Sequence, residues 1–238
     1  MNKQTQKKLL KIVKRNYEEI ADDFNETRKK YLWPELIKLA KPVKDGDKIL
    51  DVGCGNGRLI EAFKSKNIYY LGIDSNKKLI DYAKPKYVNN RFIIGDILEL
   101  DKILENNFNY VFCIAVFHHI PGRDLRIMAL KQLKDKISGD GKIIIAVWNL
   151  WSQARFRKLI LKFALVKLLG RNSLDFGDIL FDWKDSAGQR VDQRYYHAFR
   201  KKGLKAIIKK AGLKIEKIYK DKFNYYMILK KHNAHKYI

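Results

Sequence analysis

The stretch DVGCGNG, Asp51–Gly57, follows the short apolar run KIL and precedes GRLIEAFKSK, whose apolar residues recur at helical spacing. Glycines at alternate positions 53, 55 and 57, placed between a strand and a helix, let backbone N–H groups come close to a bound ligand. The third glycine arrives one residue earlier than in the usual dinucleotide fingerprint. A tight structural turn needs the same residues, so the loop alone decides little. Its surroundings sharpen the reading. One acid, Asp51, ends the preceding strand, a second, Asp74, ends the next strand, and a third, Asp96, ends the strand after that in IIGDI.

Outward from this loop the chain alternates. KILDVG, YYLGID, RFIIGD, FNYVFCIAVF and GKIIIAVW read as strands, with GRLIEAFKSK, NKKLIDYAKPK, LELDKILEN and RDLRIMALKQLKDKI as helices between them. Short apolar runs alternating with amphipathic helices predict right-handed βαβ units and a mostly parallel α/β sheet. After Trp148 the alternation stops. QARFRKLILKFALVKLLG is a basic amphipathic helix, RYYHAF is strand-like, KKGLKAIIKKAG is a helix, and LKIEKIYK with KFNYYMILKK form an antiparallel pair at the sheet edge. Without repeats or Pro/Gly-rich linkers, a single domain is expected over 1–238, with a helical cap (1–45), a core (46–150), a basic insertion that acts as acceptor region or lid (151–200) and a C-terminal helix and strands (201–238).

Three acids at the C-terminal ends of successive strands point into one crevice, where open α/β sheets bind ligands. Each alone is as well explained as the N-cap of the following helix. Together they would repel phosphate at the loop and welcome a ligand with an amino group, a ribose and an adenine. That description fits S-adenosylmethionine, and the constellation resembles class I methyltransferases with their Rossmann-like fold. The resemblance implies that Asp51 and Gly53 lie near the methionine amino end, Asp74 holds the ribose, and Asp96 and Ile97 flank the adenine, with Cys54, Gly55, Gly57 and Ser75 also in the cofactor site. Ile114 and Ala115 would line the methyl-transfer side. Arg58 departs from the small or apolar residue expected after the loop.

The bulk properties narrow the setting. With 46% hydrophobic residues the chain can build a core, and its two cysteines exclude a disulfide framework. The N-terminus lacks the apolar segment of a signal peptide, and no run approaches a membrane span, so a cytosolic protein with no membrane partner is expected. The 50 Lys+Arg against 26 Asp+Glu leave a net +24. Residues 151–238 hold 22 basic and 7 acidic residues, a net +15. Such a field calls for an anionic partner, nucleic acid ahead of a membrane surface, unless the lysines merely solvate the exterior.

The remaining motifs concern the acceptor. YEEIADDFNETRKKYLWP near the N-terminus, IAVFHH after the fourth strand, DILFDW and RYYHAF stand in that order around DVGCGNG. This set resembles the tRNA wobble-uridine carboxymethyl methyltransferases, including the methyltransferase domain fused to AlkB-type oxygenases, over about residues 15–230. The resemblance implies esterification of 5-carboxymethyluridine in a tRNA anticodon loop, and a small zinc-binding activator protein as a partner of the eukaryotic members. Arg28, His118, Arg194, Tyr195 and His197 are the candidate acceptor-side residues, with His119 the alternative to His118 and Trp183 a stacking candidate. Strand alternation puts Tyr195 and His197 on one face and Arg194 and Tyr196 on the other, so only one pair reaches the pocket. An aromatic-rich strand contributing to the core is the plainer reading of RYYHAF. No third ligand completes a metal site with the paired histidines. Two other functions fit the same residues: a small-molecule methyltransferase acting on a quinone or carboxylic acid, and a non-catalytic RNA-binding protein that retains the cofactor.

Overall fold

The computed structural model describes residues 1–28, 32–184 and 190–232, and for 183, 184 and 190–192 the backbone alone. Five parallel strands, β1 (Lys48–Val52), β2 (Tyr69–Asp74), β3 (Arg91–Ile94), β4 (Phe108–Ile114) and β5 (Ile137–Trp148), carry the centre of the sheet. Two antiparallel strands, β8 (Leu213–Lys220) and β9 (Asn224–Lys231), close it in the order β3-β2-β1-β4-β5-β9-β8. The expected antiparallel pair is therefore present, with β9 against β5 and β8 outermost.

The strands are uniformly apolar because both faces are covered. Leu50, Val52, Val111, Cys113, Ile143, Ile145 and Val147 turn to one face. There they meet Ala129, Leu130 and Leu133 of α5 (Arg123–Lys136) and Leu204, Ile207 and Ile208 of α7 (Lys201–Lys210). Ile49, Phe112, Ile144 and Ala146 turn to the other face, against Leu36 and Leu39 of α3 (Pro34–Ala40) and Ile80 and Ala83 of α4 (Lys77–Lys86). Period-2 side-chain alternation thus splits one apolar run between two cores.

Two expected helices are shorter than their patterns. GRLIEAFKSK forms a 3-10 turn over Arg58–Phe63, entered from Gly57 in left-handed conformation without a capping side chain. LELDKILEN keeps only Leu100–Lys102 as helix, again 3-10.

The chain outside the sheet builds a roof. RYYHAF is a strand, but of a separate two-stranded antiparallel ribbon, β6 (Asp178–Lys184) and β7 (Arg190–His197). Helix α1 (Lys3–Glu19), capped by the Asn2 side chain accepting from the Thr5 N–H, lies on this ribbon, joining Leu9, Ile12 and Val13 to Leu174 and Tyr195. Helix α2 (Ala21–Thr27) follows it. Helix α6 (Ala154–Leu168) buries Phe156 and Ile160 against Ile179 and Tyr196 of the ribbon. Among the described residues no helix is long and apolar enough to cross a membrane.

Candidate active site

A cavity of about 220 Å³ opens at the C-terminal ends of β1 to β4. Strand order reverses there, between β1 and β4, which is where open α/β sheets leave a crevice. The glycine loop forms its floor. Gly53 (φ +74) and Gly55 (φ +56) are left-handed, and a Cβ on Gly53 would stand 2.1 Å from Cγ2 of Val116. The Ile73 carbonyl accepts from the N–H groups of Gly53 (2.7 Å) and Cys54 (3.0 Å), which ties the loop to β2. Gly57 is not on the cavity wall: its Cβ would fall against Phe92 and Tyr87, so this glycine serves packing.

The acids occupy distinct places. Asp51 is buried beneath the loop and accepts from the Tyr70 hydroxyl at 2.6 Å. Burial pushes its carboxyl up to about 7, with the Tyr70 bond opposing and the nearby Asp74 charge adding to the rise. Asp74 is half-buried. Its Oδ2 accepts from the Gly55 N–H and its Oδ1 from the Asn76 N–H, each at 2.8 Å. Burial raises its carboxyl too, against the hydrogen bonds of Asn76, Gly55 and Ser75 and with the Asp96 charge. Asp96 is exposed and accepts from the Leu98 N–H, while Ile97 is buried on the same wall. Cys54 is buried on the wall, and burial holds its thiol protonated. Ser75, Ile114 and Ala115 complete this side, Ala115 with φ +60.

Two of these carboxylates keep open lone pairs towards the cavity, and the loop leaves backbone where a side chain would block it. That donor set fits an amino group at Asp51 and ribose hydroxyls at Asp74, as S-adenosylmethionine offers. Among the described residues no cluster of His, Cys, Asp and Glu could hold a metal ion.

The rest of the lining includes cationic and aromatic groups. Tyr17 of α1, Arg28 at the end of α2, His119 and Trp148 line the cavity. Tyr17 donates to His119 Nε2 at 2.9 Å, and His119 Nδ1 donates to the Tyr195 carbonyl at 3.3 Å, a pairing that fixes a neutral imidazole. Burial first, opposed by that carbonyl bond, takes His119 down to about 4. His118 lies behind, packed with Trp148 and Tyr196 in a cluster of three rings, its centre 5.2 Å from each and theirs 5.0 Å apart. It is fully buried, its Nε2 has no partner, and burial holds it neutral. Arg194 hydrogen-bonds the Tyr196 hydroxyl, and its charge reaches Tyr17 and His119. Arg28 acts on Tyr17 and Tyr196 as well, so the two guanidinium groups share one neighbourhood.

Arg194 and Tyr196 share one face of β7, and neither lines the cavity: the Arg194 charge reaches Tyr17 and His119, while Tyr196 is buried against α6, His118 and His119. Tyr195 and His197 turn the other way, and no acceptor in the cavity meets them. Tyr195 is fully buried and donates to Asp178 Oδ1 at 2.8 Å, and His197 Nδ1 donates to the same oxygen at 2.7 Å. Arg126 completes the cluster, 3.3 Å from Asp178 and 3.1 Å from His197 Nε2. Burial would raise the Asp178 carboxyl, but the bonds from His197 and Tyr195 and the Arg126 charge hold it below the ordinary range. The charge this carboxylate brings to stability is present above pH 4 and lost as the pH falls through its depressed folded value. Asp178→Asn is expected to cost about 3–5 kcal/mol in urea unfolding at pH 7, because it strands the buried Arg126. Calorimetry with S-adenosylmethionine is expected to give an affinity within twofold of wild type. The α6 residues, expected over the pocket, line none of the cavity, and the Trp183 side chain lies outside the described residues.

Sequence reasoning passed over Tyr17, Val116 and Trp148 as working parts. Only the opening glycines gave a signal for Val116, since a residue must fill the space they leave.

Residues 49–141 match the family model described as a methyltransferase domain. A Schizosaccharomyces pombe protein named tRNA (carboxymethyluridine(34)-5-O)-methyltransferase is 28% identical over 221 residues, covering 90% of this chain and 94% of that one. A Mus musculus protein of the same name, ALKBH8, is 28% identical over 148 residues, which is 62% of this chain and 21% of the longer relative. Among solved structures, a SAM-dependent methyltransferase of Methanosarcina mazei superposes with TM-score 0.66 at 18% identity, over 84% of this chain and 98% of that one. That likeness carries the fold: a Rossmann-like methyltransferase sheet.

Proposed function

We propose that this chain, a SAM-dependent methyltransferase by its domain over residues 49–141, esterifies the carboxylate of 5-carboxymethyluridine at the wobble position of tRNA. The observation that carries this reading is Arg28 on the cavity wall beside Tyr17, with the Arg194 charge reaching the same tyrosine. A planar carboxylate is the ligand an arginine fork binds best. The names of the S. pombe and mouse relatives support the same acceptor.

S-adenosylmethionine supplies an electrophilic methyl group. A carboxylic acid with a pKa of roughly 4 is already ionised at neutral pH, so no general base is required. The wall agrees with that demand: His119 has both nitrogens engaged, and His118 is enclosed and neutral. The arginines and Tyr17 then have one task, to hold an acceptor oxygen in line with the methyl carbon, where orientation supplies most of the rate.

An exposed apolar edge supports the expectation of an activator. β3 is the sheet's edge strand, Ile94 on it is exposed, and exposed Leu104 is held nearby through the Arg91–Glu105 ion pair. A small partner covering that edge would bury them.

The test is transfer of labelled methyl from S-adenosylmethionine to two tRNA pools, one with 5-carboxymethyluridine at the wobble position and one with unmodified uridine. Each is assayed with the protein alone and with a zinc-binding activator. Base-labile label confined to the modified pool is expected. Label in neither pool under both conditions, from a preparation that binds the cofactor, would sink the proposed acceptor. Transfer to a quinone or free carboxylic acid would then favour a small-molecule enzyme.

A further inference from the structure

A second cavity, about 720 Å³, lies on the other face of the β6–β7 ribbon, between the starts of α5 and α7 and the end of α6. Its rim carries Arg123, Arg200 and Lys210, all exposed, and half-buried Lys167. Among the described residues none of these four forms an ion pair with a carboxylate. The two acids at the groove are already engaged, Asp175 by the N-terminal ammonium at 2.9 Å and Asp124 by the Gln6 amide at 2.6 Å. Phe176 stands on the wall with 56% of its surface exposed, its ring 5.6 Å from the Lys167 ammonium. Phe199 and Ile207 form an apolar floor.

Four cations without a carboxylate partner, Arg200 among them lying 4.0 Å over the Trp151 ring, repel one another and lower the energy of any anion that enters the groove. A small anion would satisfy one or two of them and leave the aromatic wall unused. A single-stranded polynucleotide satisfies both features, with phosphates along the cationic rim and a base stacked on an exposed ring. One strand reaches towards both groove and cleft: His197 lines the groove, and Arg194, three residues earlier, acts by its charge on Tyr17 of the cleft wall.

We propose that this groove is a second RNA-binding site, which holds the phosphates and one unstacked base of a single-stranded segment of the same tRNA whose wobble residue enters the cleft. The inference rests on the tRNA reading of the function.

Two variants test it, the triple Lys167→Gln/Arg200→Gln/Lys210→Gln and the single Phe176→Ala, each checked for wild-type circular dichroism and cofactor affinity. Binding of tRNA is followed by fluorescence anisotropy from 50 to 300 mM salt, and methyl transfer is measured with tRNA and with the free 5-carboxymethyluridine nucleoside. Expected for the triple variant are tRNA binding at least tenfold weaker and a slope of log affinity against log salt reduced by about 2, since three phosphate contacts on single-stranded RNA contribute roughly 0.7 each. Phe176→Ala is expected to weaken binding several-fold with the slope unchanged. Transfer to the nucleoside is expected to stay within twofold of wild type in both. An unchanged salt slope in the triple variant, or an equal loss with the nucleoside, overturns the groove assignment. If tRNA binding depends on the groove but no methyl is transferred, the wobble-carboxylate reading falls while the groove stands.

Discussion

Asp51→Asn is expected to lose the cofactor and, above pH 7, to make the empty protein harder to unfold. Asp51 is buried at the end of β1, its one hydrogen bond comes from Tyr70, and no cation neutralises it among the described residues. Burial first, and then the Asp74 charge, put its carboxyl at about 7 against the Tyr70 bond. The sign follows from linkage. A folded value raised above the unfolded one gives a stabilising contribution that is complete below about pH 4 and lost as the pH rises to 7. A rise from the ordinary carboxylate value of 3.8 to about 7 corresponds to about 4 kcal/mol as an upper bound. Asparagine keeps an acceptor for Tyr70 and carries no charge. The gap in unfolding midpoint between variant and wild type is therefore expected to open between pH 4 and 7 and to stay level above it. Cofactor binding should move the other way. An ammonium group held at Asp51 needs the ionised carboxylate, so wild-type affinity is expected to weaken below pH 7. Asp51→Asn should bind at least a hundredfold more weakly at pH 8, and with little pH dependence. Calorimetric titrations with S-adenosylmethionine from pH 5.5 to 8.5, beside thermal melts of the empty proteins, read both effects. Parallel pH profiles for the two proteins would remove Asp51 from the amino end of the site. A stability deficit placed at a ligand-binding group is the common form of the stability–activity trade-off.

The contrast between the two halves of the site shows what the sequence carries. The cofactor half is local: Asp51, Gly53, Asp74 and Asp96 each end or follow a strand of a repeating βαβ pattern, so period and spacing place them in one crevice. The acceptor half is assembled from distant pieces. Tyr17 meets His119 across 102 positions, and the helix that carries it is held by apolar contacts with a ribbon more than 150 residues further on. RYYHAF was legible as a strand with two faces, but nothing in its residues says which face is wanted. That choice is made by Asp178, whose carboxylate collects Tyr195 and His197 and leaves Arg194 and Tyr196 on the face turned to Tyr17 and the paired histidines. The 3-10 turn at Arg58–Phe63 failed for a different reason: the apolar spacing of LIEAF suits either helix type, and the uncapped entry from Gly57 decides between them.

Arg194→Ala is expected to reduce kcat/KM for tRNA bearing 5-carboxymethyluridine by about a hundredfold to a thousandfold, as loss of a charged donor from a water-poor reacting centre does. Cofactor affinity should hold within twofold, since Arg194 acts on Tyr17 and His119 and is not among the residues lining the cavity around the acids. Arg28→Ala is expected to fall in the same range, and the double variant to lose less than the product of the singles, because both guanidinium groups act around Tyr17 and Tyr196. Arg194→Lys should recover only part of the loss, because a point charge cannot reproduce a two-pronged contact with a planar carboxylate. A merely structural role for Arg194 makes a different forecast. If it serves only to fix the Tyr196 ring, Tyr196→Phe removes the same bond and should reproduce the whole defect. If it holds the acceptor, Tyr196→Phe should cost far less than Arg194→Ala. The free nucleoside sharpens the comparison, since it has no phosphates for a distant groove to grip. A loss that persists with the nucleoside belongs to the cleft, and a loss that vanishes belongs to RNA held elsewhere. Equal activity of Arg194→Ala and wild type on the nucleoside would move the carboxylate away from this arginine and leave Arg28 to hold it.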